Sequence, residues 1–178
     1  MDLFDKCFAF TRADEVMAAD LYPFFTPIQD VHGNKVKVKG REMIMVGSNN
    51  YLGLLDHPKV KQAAKDAIDR YGVATCGSRF LNGTMDIHEE LERRLAKFMR
   101  KEAAQTVSTG FQTNQAIIST VAQKNDAIIC DRMVHASIID ACRLSFADVH
   151  KFKHNDMADL ERVLMGLPDD QGKLIVVD

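Results

Sequence analysis

The period of the apolar positions changes along the chain, and each change predicts a different kind of element. Over the first twenty residues Leu3, Phe4, Phe8, Val16 and Met17 recur at helical spacing and predict one N-terminal helix. Pro23 and Pro27 in LYPFFTPI end it, because each fixes φ and removes a backbone donor. Short extended runs follow at 28–31, 35–38 and 43–46, with His32-Gly33-Asn34 and Lys39-Gly40 as turns, a small β meander. Val36 and Val38 alternate with lysines, the period of a half-exposed strand.

From Pro58 the pattern becomes helical. Val60, Ala63, Ala64, Ala67, Ile68 and Tyr71 share one helix face; Ile87, Leu91, Leu95 and Phe98 share another, with Thr84 or Asp86 as N-cap. The charges opposite, from Glu89 to Lys97, read as a solvated face. Strand and helix then alternate: strand 105–108, helix 112–122, strand 127–130, helix 136–144, strand 149–153, helix 156–164 capped by Asn155, and strand 174–177. This alternation predicts an α/β fold, a mostly parallel sheet covered on both faces. The change of pattern divides the chain into a helix-and-meander segment, 1–55, and an α/β segment, 56–178. The last strand stops at Asp178, whereas ligand chemistry in open α/β sheets sits beyond the strand ends. The chain is therefore expected to be the N-terminal part of a longer one.

Composition narrows the function. The 178 residues are 46% hydrophobic and 27% charged, ordinary for a globular domain and unlike disordered or disulfide-scaffold chains. Lys and Arg number 23 against 25 Asp and Glu, a net charge of -2, which leaves no basic footprint for nucleic acid. No apolar run approaches the ~18 residues of a membrane span, so no integral membrane segment is expected. Cys7, Cys76, Cys130 and Cys142 lack metal-site spacing, and a reducing, cytoplasmic compartment is the expectation.

Four segments could carry chemistry. Ser108-Thr109-Gly110-Phe111-Gln112-Thr113-Asn114 lies at a strand-to-helix junction, where free N–H groups and a close-approach glycine suit a phosphate. A plain turn capped by Thr109 is the simpler reading. Asp131 to Ser137 places His135 beyond the next strand, where an imidazole could stack on a flat cofactor or shuttle a proton; a capping or surface histidine is the simpler reading. Together the two loops point to a phosphorylated aromatic cofactor. Ser48 to Leu54 offers Asn49 and Asn50 as hydrogen-bonding amides for a carboxylate or a turn, and Gly72 to Thr84 is a glycine-rich loop with Arg79. His88 with Glu92, and His150 with His154, stand at i,i+4 but lack a third metal ligand.

In order, SNNYLGL, GSRFLNGTMDIHEELE, STGFQTN, HASIIDACRLS and KFKHNDMADLE resemble the motifs of the α-oxoamine synthases, from about Tyr22 onward. These are pyridoxal-phosphate (PLP) enzymes of the fold-type I, aspartate-aminotransferase-like architecture. The resemblance implies that the chain covers the meander and part of the PLP-binding large domain of an acyltransferase. That enzyme would condense an amino acid, L-serine favoured, with a long-chain acyl-CoA to a 3-oxo sphingoid base of sphingolipid biosynthesis. Glycine C-acetyltransferase and 8-amino-7-oxononanoate synthase chemistry remain alternatives, as does a non-catalytic partner subunit. By position, the N–H groups of Gly110 and Phe111 would hold the cofactor phosphate. His135 would stack on the pyridine ring and help orient the substrate carboxylate, and Asn49 would lie near the amino acid. The resemblance also implies a homodimer, with residues 77–79 near its interface. It puts the Schiff-base lysine, the aspartate under the pyridine nitrogen and a further histidine after Asp178, so the 178 residues alone are expected to be inactive.

Overall fold

The computed structural model describes residues 2–178; Met1, the first position of the expected N-terminal helix, lies outside them. The chain forms two compact units, one extending to Gly83 and the other running from Thr84 to Asp178. Residue 55, where the sequence pattern turns helical, lies inside the first.

In the first unit the single expected N-terminal helix is instead two, α1 (Asp5–Phe8) and α2 (Arg12–Ala18). Neither buries a residue, so no packing sustains helix across 9–11, and helices this short depend on packing. Thr11 takes the N-cap position of α2 and its Oγ1 donates to Glu15 Oε1 at 2.8 Å. The meander forms as an antiparallel sheet of β1 (Ile28–His32), β2 (Lys35–Val38) and β3 (Arg41–Ile44) in that order. Its third strand begins two residues before the expected 43. Lys39 and Gly40, at φ 49° and 77°, make a two-residue primed turn that sets Arg41 directly opposite Val38. Helix α3 (Pro58–Tyr71) starts on Pro58, with His57 Nδ1 accepting the Lys59 N–H at 3.3 Å. Asp56 accepts from Gly33 N–H (2.5 Å) and Lys61 Nζ (3.2 Å); these two partners, the amide foremost, hold its carboxyl below the ordinary value.

The second unit opens with α4 (Asp86–Met99). Its N-cap is Met85, between the two expected caps, and the Met85 N–H donates to His88 Nδ1 at 3.0 Å. The strand expected at 105–108 does not form. Glu92 Oε1 instead accepts from both the N–H and the Oγ1 of Thr106, at 2.8 and 3.0 Å. A run with strand character becomes a strand only when a neighbour takes its ladder bonds.

The rest alternates as expected: α5 (Gly110–Val121), β4 (Ala127–Asp131), α6 (Ala136–Leu144), β5 (Asp148–Phe152), α7 (Met157–Met165) and β6 (Lys173–Val176). The strands are parallel in the order β5-β4-β6. Chain direction across the sheet reverses after β5, so right-handed crossovers put α6 and α7 on opposite faces. Two cores result. Ile128 and Cys130 face Ile118, Val134, Ile138, Ala141 and Cys142 on the α5–α6 side, while Ala127, Ile129 and Phe152 meet Leu160, Val163, Leu164 and Leu167 on the α7 side. Every residue of β4 is buried, which explains its unbroken apolar run. The cap of α7 is Asp156, whose Oδ1 accepts the Asp159 N–H at 2.9 Å, and not Asn155. Asn155 is left-handed at φ 54°, a conformation asparagine tolerates and an N-cap does not use.

Candidate functional site

The loops after β4, β5 and β6 share the carboxyl edge of the parallel sheet, and strand order reverses around β4 there, the usual place for ligands in open α/β sheets. Asp131 closes β4 as a buried carboxylate, 7% exposed. It accepts from the Met133 N–H (2.7 Å), His154 Nδ1 (3.1 Å) and the Asn155 N–H (3.3 Å), joining the β4 and β5 loops. The Met133 amide foremost, then the His154 and Asn155 bonds, hold its carboxyl below the ordinary 3.8 against the opposing pull of burial.

His135 begins α6. Its Nδ1 accepts the Ser137 N–H at 3.1 Å, so the side chain caps the helix, and the Ser137 Oγ stands 2.7 Å from the same nitrogen. The His135 N–H donates to Asp178 Oδ2 at 2.9 Å, crossing from the β4 loop to the residue two beyond β6. Ser137, 1% exposed, also receives the Asn114 Nδ2 of α5 at 2.8 Å.

One turn before Asn114, α5 begins. Thr109 Oγ1 accepts the Gln112 N–H at 3.1 Å, which leaves the N–H groups of Gly110 and Phe111 without an acceptor among the described residues. Nothing stands within 4 Å of where a Cβ on Gly110 would lie. An open helix start with two free amides, beside a helix that begins with an imidazole, can receive an anion attached to a flat ring. The residues therefore fit PLP in chemical type.

Of the residues singled out from sequence, Gly110 and Phe111 open α5 and His135 heads α6, and these two helices pack on one another. The connection runs through helices, because the strand expected before Thr109 is absent. Asn49 belongs to the first unit, where its Oδ1 accepts from the Tyr51 hydroxyl at 3.4 Å. Asn114 and Ser137 lie inside the two segments picked out from sequence but carry no role of their own there, and the pairing of Asp131 with His154 is not foreseen. Asn114 sits at i+4 from Gly110 and Ser137 at i+2 from His135, so spacing alone could have flagged those two. Nothing in the sequence shows that Asp131 reaches His154.

Residues 41–178 match the family model of aminotransferase class I and II, and the chain belongs to that family. Its relatives are α-oxoamine synthases, as the motifs indicate. It is 48% identical over 169 residues to a serine palmitoyltransferase of Sphingobacterium spiritivorum, covering 95% of this chain and 42% of that protein. It is 46% identical over 175 residues to an 8-amino-7-oxononanoate synthase of Thermoanaerobacter pseudethanolicus, covering 98% and 44%. The fold is similar to that of an S. paucimobilis serine palmitoyltransferase bound to a PLP–myriocin aldimine, with TM-score 0.94 and 34% identity over 98% of this chain and 45% of that one. The chain thus spans less than half the length of the relatives it matches. The α/β, fold-type I architecture is as expected. No helix among the described residues is long and apolar enough to cross a membrane.

Proposed function

We propose that this chain supplies the phosphate- and ring-holding part of the PLP site in a serine palmitoyltransferase. The reaction joins L-serine to a long-chain acyl-CoA and releases CoA and carbon dioxide. The observation that carries this reading is the adjacency of the open α5 start and the His135-headed α6, joined by the Asn114–Ser137 bond. PLP, when bound, supplies an electron sink for negative charge at the amino-acid Cα. The Gly110 and Phe111 amides receive its phosphate, aided by a helix dipole worth about 0.3–1 kcal/mol. His135 would lie against the pyridine ring and would offer its outer nitrogen to the substrate carboxylate. The enzyme works as a homodimer.

Serine palmitoyltransferases at 45–48% identity support serine as substrate. The 8-amino-7-oxononanoate synthase at 46% supports the second reading, a sister condensation using another small amino acid. Assay of the full-length enzyme with serine and palmitoyl-CoA, against glycine or alanine, separates them. Product from serine is expected, and product only from glycine or alanine would refute the first reading. Borohydride trapping of a cofactor–lysine adduct is also expected; its absence would favour the non-catalytic subunit.

A further inference from the structure

We propose that Asn114 and Ser137 form a positioning relay that holds the His135 imidazole with its proton on Nε2 and ties it to the helix carrying Gly110. The consequence for cofactor binding rests on the function proposed above. The direction of every bond in the relay follows from one group. The Ser137 backbone N–H can only donate, and it lies 3.1 Å from His135 Nδ1. That nitrogen therefore carries no proton. The Ser137 Oγ, 2.7 Å from the same nitrogen, must then donate to it. A hydroxyl has a single proton, so toward Asn114 the same oxygen accepts, and Asn114 Nδ2 donates at 2.8 Å. Ser137 is 1% exposed, which keeps water from replacing either bond.

Two things follow. The outer nitrogen of His135 is a fixed donor, suited to a carboxylate acceptor on a substrate rather than to another N–H group. Asn114 also lies one turn after Gly110, so the relay sets the anion-receiving end of α5 in register with the ring at the start of α6. Asp178 completes the fixation by taking the His135 N–H at 2.9 Å. Asn114 and Ser137 act through His135, which Ser137 bonds directly and Asn114 reaches through Ser137.

The test is ¹⁵N NMR of the histidine-labelled holoenzyme, with visible circular dichroism of the bound cofactor as a second readout. In the parent protein His135 is expected to show an unprotonated Nδ1 and a protonated Nε2. Asn114→Asp keeps the shape but replaces the donor with an acceptor. It turns the Ser137 hydroxyl away from His135, so the Nδ1 resonance moves and the cofactor dichroism falls. Ser137→Ala removes the hydroxyl without adding a charge and weakens PLP affinity about tenfold, the worth of one strong hydrogen bond. Ser137→Thr restores it. A protonated Nδ1 in the parent protein, or His135 resonances and dichroism unmoved by Asn114→Asp and Ser137→Ala, would overturn the relay. If the variants move the His135 resonances while PLP added to the parent apoprotein moves none, the relay stands and the cofactor reading falls.

Discussion

Phe152→Ala tests whether the β4–α7 core holds the carboxyl edge of the sheet in place. Phe152 is fully buried at the end of β5, packed with Ala127, Ile129, Leu160, Val163, Leu164 and Leu167. Its carbonyl accepts the Arg132 N–H at 3.1 Å, at the root of the loop that leads to His135. Truncation removes the phenyl ring from a site walled by a strand on one side and a helix on the other, so little can collapse inward. The cost for such a site is about 3–5 kcal/mol. Against the roughly 5–15 kcal/mol that holds a whole domain, that is a large fraction. Native-state hydrogen exchange of the β4, β5 and α7 amides reads it locally: the loss corresponds to about two to nearly four decades of faster exchange. Phe152→Leu, which refills most of the volume, costs under about 1.5 kcal/mol, or roughly one decade. Exchange accelerated less than tenfold by Phe152→Ala would refute the reasoning, because α7 would then not depend on this side chain for its seat.

Acid should loosen the same edge. The folded carboxyl of Asp131 is lowered, so its stabilising contribution is complete above the unfolded value of 3.8 and is lost as pH falls through the folded one. Unfolding measured across that acid range should decline more gently in Asp131→Asn than in the parent protein; parallel curves would contradict the assignment. Thr109→Ala deletes the α5 cap and should cost about 1 kcal/mol in thermal unfolding, with Thr109→Ser restoring most of it. His135→Ala should weaken PLP binding in equilibrium titration, slow turnover, and cost about 1 kcal/mol of stability through the lost α6 cap, while the fold persists. Burial, foremost, and the neighbouring Cys142 push the Cys130 thiol up to about 12. Brief alkylation of the native protein followed by mass spectrometry should therefore label exposed Cys7 and Cys76 and spare Cys130 and Cys142.

Helices and strands with strong periodicity were legible from sequence because their own side chains decide them. The α6 range came out as expected, and β4 one residue longer, since an unbroken apolar run between turn residues has few other solutions. The failures fall where partners decide. Residues 105–108 have strand composition but no ladder partner among the described residues, and the N-terminal apolar spacing spans two helices that bury nothing. The choice between Asn155 and Asp156 as cap turned on one residue's left-handed backbone, which composition does not reveal.

By itself the sequence determined the α/β class, the glycine at the start of α5 and the histidine at the start of α6, because period, turn chemistry and local motif are properties of neighbouring residues. Tertiary structure alone decided that Asn114 meets Ser137, that Asp131 reaches His154, and that Asp178 takes the amide of His135. Those bonds join residues 23 and 43 positions apart. They exist only once parallel pairing has brought the strand ends to one edge and packing has laid α5 against α6.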